Sequence, residues 1–413
     1  MSSPVVKTAL PFWLLMLIIW FVVALSMGRS QSMGLYLSPV TAALGTGREA
    51  FGLAMAMSQL MMGVFAPVSG AMIDRYGAGR VAAVCLLTTA SGLWMMYAAT
   101  SALWLLASGT LMGIGVSGTG FTAFVGTVGR LAPPEKRMKA IASMGMAAGI
   151  GNFIALPLMD VLIHAVGWQT SLLWLVALVL LLIPLSWPVG GAATVQTGPV
   201  RDQTWREALT EAVAHPGFFL LSLGFFVCGF HVAFIVVHLP AFTTDLGMPT
   251  WVGPWAISAI GITNLLGTYL AGASGRYIEK RRGLSLIYFG RAVIFLGFLY
   301  LPMTPVIVIG LCALLGLFWL ATIPLTSGLV ATFFGTTWMS MLFGIVFFAH
   351  QVGAFLGVWL GGRVFDVTKS YATMWWISIG LGMLAGLINW PIQERPVARL
   401  RATVSAVAAG SKS

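Results

Sequence analysis

Twelve long apolar stretches, separated by short polar gaps, follow one another along the chain. A helix needs about 20 residues to cross the hydrocarbon core of a membrane, and each stretch is close to that length or longer. The predicted membrane helices are 11–38, 49–73, 79–100, 103–130, 139–161, 168–187, 217–243, 250–274, 284–302, 305–332, 337–362 and 371–391. The pattern predicts an all-α membrane protein with twelve transmembrane helices, because the strands of a transmembrane barrel would give segments of about 10 alternating residues.

The longest polar gap, 188–216, divides these stretches into six and six. Within it, residues 202–213 are predicted to form a short surface helix. We therefore expect an N-terminal six-helix bundle over 1–187, a cytoplasmic linker over 188–216, a C-terminal six-helix bundle over 217–391 and a cytoplasmic tail over 392–413.

The two halves also resemble each other when they are aligned at a constant offset. Gly28 then stands opposite Gly229, Pro39 opposite Pro240 and Arg75 opposite Arg276. Together with the equal number of helices, these matches predict two pseudo-symmetric bundles around a central cavity.

Composition agrees with this interpretation. Of 413 residues, 59% are hydrophobic and 8% are charged, against roughly a quarter charged in an ordinary soluble domain. Such a chain cannot build the charged surface of a soluble enzyme or a nucleic-acid-binding protein. Its three cysteines lie inside apolar stretches, so we expect neither a disulfide framework nor a metal site.

The distribution of basic residues predicts the orientation of the chain. Of the 22 Lys and Arg, 17 fall on the side of the two termini, three fall on the other side, and Arg29 and Arg291 lie inside predicted helices. Because basic residues favour cytoplasmic loops, both termini are expected to be cytoplasmic. We expect the protein to lie in a bacterial inner (plasma) membrane.

One cytoplasmic loop carries a recognisable motif. Between the second and third predicted helices the chain reads Gly70-Ala-Met-Ile-Asp74-Arg75-Tyr-Gly77-Ala-Gly79-Arg80. Gly70 is expected to allow close helix packing, Gly77 a tight turn, and Asp74 a hydrogen bond or ion pair across the bundle. This segment resembles the loop signature of the major facilitator superfamily, and the resemblance implies a transporter that works by alternating access rather than an enzyme.

The second half holds a degenerate copy of this loop. It keeps Arg276 but has Gly275 where the first half has Asp74. The residues expected to form the gate are therefore concentrated in the first loop; they are Gly70, Asp74, Arg75, Gly77 and Arg80, with Arg276 from the second copy.

Two later helices narrow the resemblance. The segments Phe226–Pro240 and Gly344–Gly362 are similar to the bacterial branch of monocarboxylate and oxalate/formate-type transporters. The resemblance implies a small organic anion as substrate, moved with a proton. In one respect the chain differs, because Thr268 occupies the place at which monocarboxylate-binding relatives have an arginine.

Ionisable residues inside a membrane are costly and are therefore candidate functional residues. Arg29 is followed by polar residues and could bind a carboxylate through both of its terminal nitrogens, or could extend to the outer interface. Arg291 could replace the missing arginine, or could be a structural residue bonded to backbone. The predicted substrate-binding residues are Arg29, Gln31, Tyr36, Ser117, Thr119, Asn152, His231, Asn264, Arg291, Trp319 and His350.

Histidine titrates near neutral pH and is therefore a candidate for the coupling proton. His231, His238 and His350 lie inside predicted helices, and Asp160 ends the fifth helix. Each histidine could instead be neutral and bonded to a carbonyl group.

The sequence as a whole predicts a secondary transporter for a small organic anion, working by proton symport. Two alternatives stay open, namely proton-driven efflux of a drug-like or aromatic compound and a non-transporting membrane sensor. We expect no catalytic residues, cofactor or metal, and no nucleic acid or protein partner. The partners implied are the substrate, protons and lipid.

Overall fold

The structure is a computed structural model that describes residues 10–120, 123, 124, 127, 128, 132, 137–189, 203–275, 277–335 and 338–400. Its helices, in chain order, are α1 Phe12–Ser32, α2 Leu37–Leu44, α3 Arg48–Tyr76, α4 Ala78–Tyr97, α5 Ala102–Ser117, α6 Arg137–Ser186, α7 Trp205–Val213, α8 Pro216–Asp245, α9 Val252–Ser274, α10 Lys280–Tyr300, α11 Pro305–Leu317, α12 Thr322–Phe334, α13 Met339–Thr368 and α14 Ala372–Asn389.

Among the described residues, ten helical segments are long and apolar enough to cross a membrane. One of them, Ser143–Ser186, has 44 residues and would be about 66 Å long as a straight helix, twice the thickness of the hydrocarbon core. The chain bends inside it at Gly167, whose φ of 82° lies in the left-handed region. Counting this segment as two helices, and adding the shorter apolar helix α5, gives the predicted twelve.

The first membrane segment is longer than the sequence predicts. A 3₁₀ turn, Met33–Tyr36, joins α1 to α2, so that the segment runs over 33 residues from Phe12 to Leu44 instead of 11–38. Arg29 consequently stands near the middle of the segment and not close to its end.

The tenth predicted helix, 305–332, is not continuous. It is broken after Leu317, where α11 ends, and helix resumes at Thr322, where α12 begins. Pro324 lies in the first turn of α12, where its missing N–H would have no helical partner in any case. The proline predicts a bend here, and the structure has a complete break.

Three contacts between helices join the halves of the molecule. One apolar cluster contains residues of α1, α3 and α4 together with Ala233, Val237 and Ala354 from the second half. Gly34 lies against the backbone of Val236 and Val237, and a Cβ at that position would collide with them. The bundles therefore meet where the α1–α2 segment contacts α8, where α3 contacts α13 and where α6 contacts α9.

The linker helix α7 begins with a capping box. Thr204 Oγ1 accepts from the Glu207 N–H at 3.3 Å, and Glu207 Oε2 accepts from the Thr204 N–H at 2.8 Å. The bond from the Thr204 N–H to the carboxylate lowers the pKa of the Glu207 carboxyl group. The predicted surface helix in 202–213 is confirmed, and Ala212 packs it under the second bundle. The boundaries of the two bundles stay a prediction.

Candidate functional site

We call the two ends of the molecule the terminal face, where α1 begins and α14 ends, and the latch face, where α2 ends and α3 begins. The described hydrogen bonds and ion pairs between the two bundles lie at the latch face or near mid-membrane. The candidate site residues are distributed between these levels.

Arg29 is a buried cation with few partners. The residue is 2% exposed, and its Nη1 donates to the sulfur of Met112 on α5 at 3.7 Å. Among the described residues, Nη2 has no hydrogen-bond partner. Since a thioether is a weak acceptor and no ion pair to Arg29 is described, the guanidinium keeps donor capacity for an anion.

Two pairs of hydroxyl groups are hydrogen-bonded inside the N-terminal bundle. Ser26 Oγ on α1 is 3.0 Å from Thr119 Oγ1, and Ser117 Oγ is 2.6 Å from Ser69 Oγ on α3. The hydroxyl groups of Thr119 and Ser117 are therefore already engaged in hydrogen bonds within the N-terminal bundle. Gln31 is half-buried on α1.

Tyr36 is not part of this group. Its hydroxyl lies 2.9 Å from Ser171 Oγ and 3.1 Å from the sulfur of Met159, and the residue is fully buried between the first segment and α6. These contacts hold the 3₁₀ turn against α6, which is a structural role.

Arg291 is buried in a different way. Its Nε and Nη2 donate to the Phe318 carbonyl oxygen at 3.1 and 2.6 Å, and Nη2 also donates to the Trp319 carbonyl oxygen. These carbonyl groups follow the end of α11, so that the guanidinium satisfies groups left free by the break. Although Nη1 has no partner, the contacts agree with the structural alternative.

Asn264 stabilises the same break from α9. Its Oδ1 accepts from the Leu320 N–H at 2.9 Å and from the Thr268 hydroxyl at 3.2 Å. Asn264, Arg291 and the Trp319 backbone are therefore brought together, but around a helix break. Asn152 Oδ1, on α6, has no partner.

The three membrane histidines differ in their bonding. His231 Nε2 donates to the Ser378 carbonyl oxygen at 2.9 Å, which leaves Nδ1 as an acceptor, and this buried atom has no partner within the described part of the chain. His350 Nδ1 is 2.8 Å from Gln351 Oε1, while Gln351 Nε2 donates across the bundles to the Gln59 carbonyl oxygen at 2.9 Å. Asp160 Oδ1 is 3.4 Å from the His164 ring on the same helix.

His238 is fully bonded. Its Nδ1 is 3.0 Å from the Tyr371 hydroxyl and its Nε2 is 2.8 Å from the Val358 carbonyl oxygen. The histidine is 1% exposed and lies closer to the latch face than His231 does on the same helix, α8.

Charged side chains of both bundles are joined at the latch face. Arg48 at the start of α3 holds Asp245 through two bonds of 2.6 Å, and its Nη1 also donates to the Tyr371 hydroxyl at 2.9 Å. Asp366 on α13 accepts the Arg48 and Glu49 N–H groups at 2.9 and 2.8 Å, which caps α3 across the interface.

Glu49 continues this network on the other side of Arg48. Its carboxylate accepts from Arg363 at 3.0 Å and from the Trp359 indole at 3.2 Å. We call this set of residues the latch; it consists of Arg48, Glu49, Asp245, Trp359, Arg363, Asp366 and Tyr371. The sequence analysis did not identify it.

The loop motif has a different environment. Gly77 has a φ of 89° between α3 and α4, which confirms the predicted tight turn. The expected close packing at Gly70 is not seen among the described residues, none of which lies within 4 Å of a Cβ placed there. Arg75 and Arg80 are exposed, and the side chain of Asp74 and residue Arg276 lie outside the described part of the chain. The gating role of this loop stays a prediction.

Sequence comparison identifies the family. The profile described as "Major Facilitator Superfamily" matches residues 19–358. The chain belongs to the major facilitator superfamily. It is an integral membrane protein of a transporter family and not an enzyme.

Individual relatives agree with this assignment. The chain is 26% identical over 371 residues to the uncharacterized MFS-type transporter YcxA of Bacillus subtilis (strain 168), with 86% of this chain and 89% of the relative covered. It is 24% identical over 344 residues to monocarboxylate transporter 12-B of Danio rerio, with 75% and 72% covered.

Solved structures of major facilitator transporters share the fold. The nucleoside transporter NupG matches with a TM-score of 0.74 and 15% identity over 92% of this chain and 99% of NupG. The D-xylose-proton symporter matches with a TM-score of 0.72 and 17% identity over 92% of this chain and 97% of the symporter. The two six-helix bundles predicted from the sequence are thus the major facilitator fold.

Proposed function

We propose that this major facilitator transporter moves a small organic anion, a carboxylate, together with a proton. The observation that carries the proposal is Arg29, whose guanidinium is buried near the middle of the first membrane segment with Nη2 unpartnered. A buried charge without a partner costs several kcal/mol, so that a ligand of opposite charge is strongly favoured there.

The chemistry of Arg29 suits a carboxylate. A guanidinium presents two parallel N–H donors that match the two carboxylate oxygens. Three relatives of the chain, from fish, frog and rat, carry the name monocarboxylate transporter 12, which supports the same class of substrate.

Thr268 supports the choice of Arg29 over a site on α9. Its hydroxyl donates to Asn264, which in turn holds the Leu320 N–H at the helix break. This position therefore stabilises α9 against the break, and Arg291 donates to carbonyl groups of the same break. Arg29 is left as the buried arginine with the greater unused donor capacity.

We propose His231 as the residue that takes the coupling proton. Its Nε2–H is engaged by the Ser378 carbonyl group, and its Nδ1 lone pair is buried without a donor. A proton added at Nδ1 would break no bond, whereas His238 and His350 each use Nδ1 in a hydrogen bond. Asp160, which pairs with His164, is the next candidate.

We also propose that the terminal face is cytoplasmic and that the latch face is external. The excess of basic residues on the side of the termini supports this orientation. The joined latch then corresponds to a state that is closed towards the outside.

The substrate is tested by uptake into proteoliposomes. A panel of radiolabelled monocarboxylates is supplied with and without an inward proton gradient, and we expect accumulation that requires the gradient and is lost with a protonophore. Arg29→Ala should weaken apparent affinity by roughly 10- to 150-fold, the equivalent of about 1.5–3 kcal/mol for a charge-assisted bond. Arg206→Ala, on the exposed linker helix, is the matched control.

The alternatives predict other results. Unchanged affinity in Arg29→Ala would contradict the anion site and favour a neutral or drug-like substrate. Absence of flux for every compound, with intact protein, would favour the sensor.

The proton site is tested by pH profiles. His231→Gln should flatten the dependence of uptake on external pH, because glutamine cannot take up a proton in this range. His164→Gln, at an exposed histidine beside Asp160, is the control, and a changed profile in this variant would point to Asp160 as the proton site. A profile unchanged in His231→Gln would transfer the role to His350 or Asp160.

A further inference from the structure

The Tyr371 hydroxyl connects the latch to a buried histidine. It lies 2.9 Å from Arg48 Nη1 and 3.0 Å from His238 Nδ1. A guanidinium has only donors, so the tyrosine oxygen accepts from Arg48 and its own O–H is free to donate. Burial raises the pKa of the Tyr371 hydroxyl, which keeps that proton in place.

The tautomer of His238 follows from the same network. The Val358 carbonyl oxygen can only accept, so His238 Nε2 carries a hydrogen and donates to it at 2.8 Å. Nδ1 is then the acceptor for the Tyr371 O–H. The latch as it stands therefore contains a neutral His238.

The surroundings of His238 offer little compensation for a second proton. The charged groups that act on it are Arg48 from α3 and Asp366 from α13, and Asp366 is already engaged by two backbone N–H groups of α3. The other neighbours are the rings of Phe234 and Tyr371. Within the described residues, no carboxylate is hydrogen-bonded to this imidazole.

We propose that His238 is a positioning residue of the latch, and that closure of the latch face requires its neutral form. A proton taken from solution onto Nδ1 would remove the acceptor of the Tyr371 O–H, so that this hydroxyl has to turn, and would place a second positive charge near Arg48. Arg48 would lose its hydrogen bond to the Tyr371 hydroxyl, and the two bundles would separate at the latch face. On closure Nδ1 returns that proton to the solution.

This role differs from substrate binding and from the coupling proton proposed for His231. It concerns access to the site and operates without substrate. Failure to find an accepted acid would therefore not contradict the proposed role of His238. Failure of the latch experiment would not contradict the proposed anion site at Arg29.

The experiment measures the distance between the bundles at the latch face. Ala43 at the end of α2 and Val367 on α13 are exposed, and a spin label on a cysteine at each position reports their separation by pulsed electron spin resonance in nanodiscs. Labelling of the protein without these two substitutions measures the background from the three buried native cysteines.

Wild-type protein should show a longer-distance population that rises several-fold between pH 8 and pH 5.5. His238→Gln should stay closed at both values, because glutamine can donate to Val358 and accept from Tyr371 but cannot be protonated. Tyr371→Phe, which removes only the hydroxyl, should lose most of the pH response. His164→Gln should respond as wild type does.

Two results would overturn the proposal. The first is a distance distribution in wild type that is identical at both pH values. The second is an opening in His238→Gln equal to that of wild type, which would assign the response to the carboxylates of the latch. Should His238→Gln fail to fold, Tyr371→Phe alone gives the same decision.

Discussion

The two buried arginines, one in each bundle, have almost the same exposure and opposite bonding. Arg29 is 2% exposed and Arg291 is fully buried. Arg291 donates to the carbonyl groups of Phe318 and Trp319, whereas the described contact of Arg29 is one long bond to the sulfur of Met112. In a chain with only 11 acidic residues, neither arginine has a described carboxylate partner.

The comparison shows that burial of a charge does not by itself indicate function. A guanidinium that satisfies backbone carbonyl groups stabilises a structural irregularity, in this case the break between α11 and α12. A guanidinium with unused donors has been left unsatisfied by the protein and is suited to a ligand. The state of the donors separates the two roles.

Removing the guanidinium of Arg291 gives the largest expected effect on stability. Arg291→Ala leaves the carbonyl groups at the break without partners and opens a cavity in a packed bundle, at a cost of about 3–5 kcal/mol. Thermal unfolding in detergent measures it as a lower Tm. Arg29→Ala is the matched variant, and its Tm should be unchanged or higher, because an unpaired buried charge is removed. A Tm loss of the same size in both variants would contradict the comparison.

Ligand binding gives the next largest effect. An accepted acid at about 100 times its Kd should stabilise the wild-type protein by about 2.7 kcal/mol. The same concentration should stabilise Arg29→Ala by only about 0.3–1.4 kcal/mol, since its Kd is raised roughly 10- to 150-fold. Stabilisation of Arg29→Ala equal to that of wild type would show that the acid binds elsewhere, and the measurement is a thermal-shift titration.

Lysine substitutions give the smallest and most selective effect. Arg29→Lys keeps the charge but loses the two-pronged geometry, so we expect a loss of affinity of about tenfold, or about 1.4 kcal/mol. Arg291→Lys should leave affinity unchanged and lower only the Tm. Competition uptake of the same acid in the two variants checks this, and a reversed order would make Arg291 the anion ligand.

Much of the fold could be predicted from the sequence. Apolar stretches of membrane length identify the twelve helices because lipid tolerates few other backbone arrangements. Gly77 and the short helix after the long gap could also be predicted, since a left-handed turn and a capping box depend on neighbouring residues. The packing around Gly70 could not be predicted, because it depends on which helix lies opposite that residue.

The latch could not be predicted for a related reason. Arg48 is separated from Asp245 by 197 residues and from Tyr371 by 323, and no local pattern links them. In the sequence, Arg48 and Arg363 are two of the three basic residues on the less basic side, and nothing local distinguishes them further. The scarcity of acidic residues is a signal that could have indicated the latch. In a chain with so few carboxylates, each one near a helix end is expected to have a basic partner. The hydrogen-bond partners of Arg291 could not be predicted either, because they are backbone carbonyl groups and carry no sequence signal.

Gly34 lies where the first membrane segment meets the second bundle backbone against backbone. At this point the first membrane segment touches the backbone of Val236 and Val237 with a hydrogen atom in place of a side chain. A smooth contact of this kind permits the two surfaces to shift, because no interlocked side chains have to separate first. A methyl group at this position would collide with the backbone of Val236 and Val237. We therefore expect that Gly34→Ala slows the cycle even though every charged residue of the latch and both arginines are intact.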